Sequence, residues 1–189
     1  MIRQLPIIPT IIVIAAALTM VGLGVWQMGR AGEKAELIMM YSKSTAIGEL
    51  ASFPATGDGA DVWFRRSEVE CVSVNEITSL AGRSANGAKG WAMRAQCALA
   101  NGGTALVDIG FSQSLKAPEW QGGKVTGVIA PGPRLVADPA VGGLQALAKP
   151  DPNDLPNNHL AYAGQWFFFA LTALVIYGFA VRGRLRKNQ

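Results

Sequence analysis

Histidine, cysteine and charge are all scarce in this sequence, and these scarcities exclude several classes of function. The 189 residues include one histidine, His159, and two cysteines, Cys71 and Cys97. A serine or cysteine hydrolase needs a base, usually histidine, within reach of its nucleophile, and a zinc site needs three or four nitrogen and sulfur ligands. The sequence has no G-x-S-x-G nucleophile elbow and no phosphate-cradling glycine loop. It therefore argues against a hydrolase, a zinc enzyme and a nucleotide-dependent enzyme.

Charged residues make up 16% of the chain and hydrophobic residues 50%, which is typical of a membrane protein. All 13 Asp and Glu residues lie between Glu33 and Asp154, and 12 of the 17 Lys and Arg residues lie between Arg30 and Lys149. The net charge of +4 therefore comes from the ends of the chain, which contain Arg3, Arg182, Arg184, Arg186 and Lys187. Basic residues in these places flank membrane helices on the cytoplasmic side, whereas a nucleic-acid surface would carry them on the folded middle. We therefore expect no nucleic-acid partner.

Two long uncharged runs predict two transmembrane helices, over residues 7–27 and 159–181. Each is long enough to cross a hydrocarbon core of about 30 Å at about 1.5 Å per residue. The first run is longer than the apolar core of a cleaved signal peptide and lacks a clear A-x-A-like cleavage site, so we interpret it as a retained helix. Residues 182–189 then form a cytoplasmic basic tail, with both termini in the cytoplasm and residues 28–158 across the membrane.

The middle of the chain changes from a helical pattern to a pattern of strands. Helical spacing continues to about Lys43. A mixture of polar and apolar residues predicts a strand near residues 66–74, and alternating apolar residues predict strands near 91–99, 105–111 and 125–129. The turn signal 101–103 separates the strands at 91–99 and 105–111. The expected fold class is an α+β membrane protein, in which two transmembrane helices flank a small antiparallel β-rich extracytoplasmic domain with an N-terminal helical extension.

Both cysteines fall in predicted strands that face an oxidising compartment in this topology. Cys97 shares the apolar side of its strand with Trp91, Met93 and Leu99. Three interpretations are open: a structural disulfide with Cys71, which we favour, two buried thiols, or a redox-active pair. The spacing is not C-x-x-C, which argues against the third.

His159 stands at the entrance of the second uncharged run, followed at helical spacings by Tyr162 and Trp166. One interpretation is an interfacial polar cap with aromatic anchors, which are common at membrane–water boundaries. The other is an axial ligand for a heme iron, because neutral imidazole is the usual proximal donor. The residues alone do not distinguish between these two interpretations.

Two motifs at the inner ends of the uncharged runs resemble the surfeit locus protein 1 family. The first reads Gly24-x-Trp26-Gln27-x-x-Arg30-x-x-x-Lys34. The second reads His159-Leu160-x-Tyr162-Ala163-x-Gln165-Trp166-Phe167. Between them the match is weaker, since Ile109 and Phe111 stand where the family usually has arginine and tryptophan.

The resemblance implies a non-enzymatic assembly factor for cytochrome c oxidase, located in a bacterial inner (plasma) membrane, that assists the handling or insertion of heme a. The implied partners are the catalytic subunit of the oxidase, the heme a synthesis machinery and the lipid bilayer. In bacterial members of the family the suspected heme ligand falls on His159. The expected heme-binding set adds Tyr162, Gln165 and Trp166 from the second helix and Trp26, Gln27 and Arg30 from the first. Two alternatives are a structural membrane-anchored accessory subunit without a cofactor and a periplasmic thiol redox protein that uses Cys71 and Cys97.

Overall fold

The computed structural model of the protein describes residues 6–187. Arg3, which entered the charge argument, and residues 188–189 of the predicted basic tail lie outside this range. The chain divides into two compact units, one formed by Met1–Leu37 with Pro156–Gln189 and the other by Ile38–Leu155. Long helices make up the first unit, and a five-stranded sheet dominates the second.

Two helices, α1 (Ile7–Ser44) and α2 (His159–Lys187), contain the uncharged runs. α1 begins directly after Pro6, whose carbonyl accepts a hydrogen bond from the Thr10 amide at 3.0 Å. Both helices are long and apolar enough to cross a membrane, and most of their large apolar side chains are exposed. A helix that is apolar on its exposed sides is typical of a membrane span and not of a surface helix in water. The predicted fold class is confirmed: two candidate membrane helices flank a sheet domain.

α1 continues well beyond residue 27, the predicted end of the first span. It runs without interruption to Ser44, so the segment expected to be a helical extension belongs to the same helix. Near its end the hydroxyl of Ser42 donates to the carbonyl of Ile38 at 2.8 Å. The limits of the membrane-embedded parts, 7–27 and 159–181, stay predictions.

Five strands form a closed barrel in the second unit. In chain order they are β1 (Arg66–Arg83), β2 (Lys89–Leu99), β3 (Thr104–Ser112), β4 (Gly123–Ala130) and β5 (Arg134–Ala137). Their order around the barrel is β1-β2-β3-β5-β4, as in the five-stranded Greek-key barrel of the OB-fold. The pairings of these strands are antiparallel, as expected, except that β3 and β5 are parallel. The sheet is therefore mixed, because the chain after β4 returns to the free edge of β3.

β1 closes the barrel by pairing with two strands along its length. Its first part, residues 66–71, pairs with β4, and the remainder pairs with β2. Cys71 lies opposite both Gly123 and Leu99, at the point where the pairing changes. Register shifts follow immediately at Cys71 and Val74, and such bulges bend a strand and increase its twist.

Alternating side chains of the strands fill the barrel with one apolar core. Met93 and Ala95 of β2 and Val107 and Ile109 of β3 are all completely buried in the same cluster. The two-residue period expected from the sequence is therefore confirmed for these strands.

Cys71 and Cys97 are joined by a disulfide, with the Sγ atoms 2.14 Å apart and the Cα atoms 5.1 Å apart. Both side chains belong to the apolar core and are at most 2% exposed. The predicted disulfide is confirmed. Thiol–disulfide exchange requires an attacking thiolate to reach a sulfur atom, so this burial argues against the redox-active pair.

Candidate functional site

Small residues let α1 and α2 pack closely against each other. The ring of Phe167 in α2 lies against Gly24 of α1, where a Cβ atom would be 2.6 Å from Cε1 of the ring. Close approach of helices through small residues is typical of membrane helix pairs. Four alanines of the two helices are also buried: Ala17, Ala31, Ala163 and Ala170.

Three side-chain hydrogen bonds within residues 6–187 connect α1 with α2 or with the residues directly before it. Near the beginning of α1, the hydroxyls of Thr10 and Tyr177 are 2.5 Å apart. Farther along α1, Asn157 donates from Nδ2 to the carbonyl of Ala31 at 3.3 Å. The early part of α1 therefore meets the late part of α2, and the helices are antiparallel.

The third connection places His159 against Gln27 of α1. His159 is the first residue of α2 and is half-buried. Its Nδ1 atom lies 2.7 Å from Oε1 of Gln27. An amide oxygen can only accept a hydrogen bond, so this contact requires the proton to be on Nδ1. When the ring is neutral, its lone pair is then on Nε2, which makes no hydrogen bond to residues 6–187.

The side chain of Asn157, two residues before His159, has a hydrogen-bond acceptor without a partner among the described residues. Its Oδ1 atom is buried and accepts no hydrogen bond from the part of the chain that the structure describes. A buried polar atom without a partner is costly in free energy. This end of the helix pair therefore combines a free imidazole nitrogen with a free amide oxygen.

The other residues predicted for the site are less enclosed. Trp26 and Tyr162 are exposed, as is Gln165, on the outer sides of their helices. Trp166 is half-buried and packs edge-on against Phe169, with ring centroids 6.3 Å apart. The structure brings only His159 and Gln27 of the predicted set into direct hydrogen-bond contact.

Arg30 is exposed and forms an ion pair with Glu33 on its own helix. Lys34, one turn farther along α1, is half-buried on the side of the helix that also carries Gln27 and Ala31. Lys34 is therefore the cation nearer to the helix interface.

The donor chemistry of the site fits a heme iron better than a free metal ion. The described residues contain no group of three or more His, Cys, Asp or Glu side chains that could hold a metal ion. A zinc site would require such a group. The macrocycle of heme already supplies four nitrogen ligands, so the protein has to add only axial ligands. A single imidazole with a free Nε2 meets that requirement.

A second polar cluster, which the sequence interpretation missed, lies on the outer side of the barrel. Asp108 is 4% exposed and accepts from Arg94 at 2.6 Å (Nε to Oδ1) and 3.1 Å (Nη2 to Oδ2). Arg134 donates to the same carboxylate from Nε at 2.9 Å. One carboxylate thus joins β2, β3 and β5 through charge-assisted hydrogen bonds.

A cavity of about 230 Å³ adjoins this cluster and is also lined by Arg83, Lys149 and Asp154. The sequence signal for the cluster was an acidic residue at an outward position of an otherwise apolar strand. Arg94 lies opposite Asp108 in the register of the β2–β3 hairpin, so that pair was predictable in principle. Both oxygens of Asp108 accept hydrogen bonds from these arginines, so the carboxylate links three strands of the barrel.

Fold and site together define a class of protein, a two-helix membrane protein. A closed barrel lies between the two helices in chain order, and the only histidine of the sequence begins the second helix. The chain belongs to the SURF1 family, whose family model matches residues 14–171. The surfeit locus protein 1 resemblance of the sequence is thereby confirmed. SURF1 proteins are known for the assembly of cytochrome c oxidase and are not typically catalytic. No curated protein sequence and no solved structure matches the chain.

Proposed function

We propose that this protein is a non-enzymatic factor that binds heme a through His159 while assisting its insertion into the catalytic subunit of cytochrome c oxidase. The observation that carries the proposal is the free Nε2 of His159, held at the end of an apolar helix pair. Family membership supports the assembly role, and the imidazole supplies the chemistry for heme.

The residues around His159 suit a flat, apolar ligand with an acidic edge. Trp166 follows two turns after His159 on α2 and, being only half-buried, offers apolar surface. The half-buried Lys34 is the cation suited to a heme propionate, whereas Arg30 is already paired with Glu33. A charge-assisted hydrogen bond of this kind contributes about 1.5–3 kcal/mol net.

The exposed apolar sides of α1 and α2 suit the isoprenoid tail of heme a. Burial of a hydrocarbon chain in lipid contributes about 0.8 kcal/mol per CH₂ group. A carrier whose ligand residue lies beside lipid therefore keeps the tail out of water without a closed pocket.

The proposed location is a bacterial inner (plasma) membrane, with both termini in the cytoplasm and the barrel in the periplasm. The basic residues after Val181 support this orientation. The proposed partners are the catalytic subunit, which receives the heme, and the machinery that synthesises heme a.

An absorption spectrum tests heme binding directly. The wild-type protein and the His159→Ala variant are produced in a host that makes heme a and are purified in detergent. We expect a low-spin heme spectrum from the wild type that is lost in His159→Ala. Leu160→Ala is the matched control, because it truncates the neighbouring exposed side chain of α2.

Retention of heme by His159→Ala with an unchanged Soret band would show that the ligand is elsewhere. A folded, inserted wild-type protein without any heme would instead favour the structural accessory subunit. Arg30→Ala should weaken binding less than His159→Ala, because it removes at most one contact to a propionate.

A further inference from the structure

The contact between Gln27 and His159 determines which nitrogen of the only histidine is free. We infer that Gln27 is a positioning residue: its Oε1 keeps the proton on Nδ1 and orients the ring, so that Nε2 is the ligand nitrogen. The inference deepens the proposed function and rests on it for the identity of the ligand. The state of the ring can be tested without any heme.

The hydrogen-bond chemistry of the two groups carries the argument. At 2.7 Å, Nδ1 and Oε1 are at normal hydrogen-bond distance. A neutral imidazole has one N–H, so donation from Nδ1 leaves Nε2 unprotonated. Histidines that bind metals commonly donate their other nitrogen to an oxygen in this way, which fixes the ring and makes the ligand nitrogen more basic.

The backbone around His159 is fixed independently of Gln27. The amide of Tyr162 donates to the carbonyl of Asn158 at 3.2 Å, which is the first hydrogen bond of α2. Asn157 is anchored to Ala31 through its side chain. Only the side-chain torsions of His159 then remain free, and the bond to Gln27 restrains those.

A purely structural role, as a connection between the helices, is the competing explanation. The helices already have the Thr10–Tyr177 and Asn157–Ala31 hydrogen bonds and the close contact of Gly24 with Phe167. Packing therefore does not depend on the amide of Gln27 alone. The positioning role predicts changes in the ring that a loosened helix contact would not produce.

The tautomer can be read from one signal, because the chain has a single histidine. The full-length, heme-free protein is labelled with ¹⁵N-histidine and measured in detergent at alkaline pH, where imidazole is neutral. We expect a protonated Nδ1 and an unprotonated Nε2 in the wild type. Gln27→Leu should shift the population toward protonated Nε2, the form that free histidine prefers. Gln27→Glu, which retains an oxygen acceptor, should preserve the wild-type tautomer.

Ligation is tested with hemin as the probe, by titration and by the ligand-field bands of the bound state. Loss of an outer partner of a metal-binding histidine typically weakens binding 10–100-fold, so we expect about that increase in Kd for Gln27→Leu. Gln27→Glu should bind within a few-fold of the wild type. Met28→Leu, an exposed change at the next position of α1, controls for substitution at this depth.

Two results would overturn the inference. One is a wild-type protein with the proton on Nε2. Gln27 would then donate to Nδ1, and the protonated Nε2 would have no lone pair for the iron. The other is unchanged hemin affinity and unchanged bands in Gln27→Leu. A wild type that has the expected tautomer but binds no hemin contradicts the proposed function, and the NMR result separates that failure from a failure of the tautomer assignment.

Discussion

Phe167 of α2 lies so close to Gly24 of α1 that a methyl group at Gly24 would collide with it: the added carbon would be 2.6 Å from Cε1 and 2.8 Å from Cζ of the ring. Gly24 is two residues before Trp26 and three before Gln27, so this contact sets the distance between the helices close to the candidate site. Lateral spacing between the helices in turn determines whether Gln27 reaches His159.

A larger residue at Gly24 should therefore separate the helices. We expect Gly24→Leu to lengthen and broaden the distance between spin labels at Ile8→Cys and Phe179→Cys, two exposed positions at the other end of the pair. Overpacking of a contact like this typically costs about 1–3 kcal/mol. The native cysteines are oxidised and take up no label. Gly22→Leu is the matched control, because no atom lies within 4 Å of a Cβ there. Identical distance distributions for the two leucine variants would contradict the expectation.

Removal of the Asp108 carboxylate should destabilise the barrel. Asp108→Ala leaves Arg94 and Arg134, which are only partly exposed, without their shared anion. Breaking a buried ion pair by removing one partner costs about 3–5 kcal/mol, and partial solvation of the arginines should reduce this to roughly 1–3 kcal/mol. The free energy of unfolding is measured by urea titration of the detergent-solubilised protein, followed by near-ultraviolet circular dichroism.

Lys124→Ala provides the comparison for Asp108→Ala. It removes the exposed cation of a surface ion pair with Glu68, and solvent screening leaves such pairs with little effect on stability. Equal effects of the two substitutions would mean that the buried carboxylate is no more important than a surface charge.

Loss of the disulfide should lower the stability of the barrel without changing its fold. Cys71 and Cys97 are 26 residues apart, and closing a loop of that length stabilises a protein by roughly 3 kcal/mol in the chain-entropy model. The Cys71→Ala/Cys97→Ala double variant should unfold at correspondingly lower urea concentration. Because both sulfurs are buried, a thiol reagent should label the reduced wild type much faster after unfolding. Two alkylated thiols in the folded, non-reduced protein would disprove the bond.

The orientation in the membrane is open to a reporter test. Alkaline phosphatase is active only outside the cytoplasm, so a fusion after Gly122, in the connection that precedes β4, should be active. A fusion after Lys187 should be inactive, since the basic residues there predict the cytoplasmic side. The opposite pattern of activities would reverse the proposed topology.

The sequence predicted the two helices well because a membrane span leaves an unambiguous signal, an uncharged run of sufficient length. The family resemblance also placed both partners of the central contact, His159 and Gln27, in the expected heme-binding set. The sequence could not predict the hydrogen bond between them, because the rotation of each helix about its own axis depends on how the two helices pack. The same rotation leaves Trp26 and Tyr162 exposed, although the family resemblance had grouped them with the site.

In the barrel, alternation identified β2, β3 and β4, whereas only residues 66–74 of the longer β1 were predicted, from a mixture of polar and apolar residues. β5 was missed because Arg134–Ala137 is only four residues long and directly follows a turn that contains Pro131 and Pro133. Its parallel partner, β3, is more than 20 residues earlier, so no local pattern indicates the pairing. Missing β5 also meant missing Arg134 as the second cation on Asp108.

Closure of the barrel limits how a protein partner can recognise this domain. Peptides often bind a sheet by adding a strand along an open edge, where backbone groups are still available. In the described barrel β1 pairs with both β2 and β4, so the five strands form a ring. A partner that docks on this domain therefore has to contact side chains and loops, and sequence-independent backbone pairing along a strand edge is disfavoured.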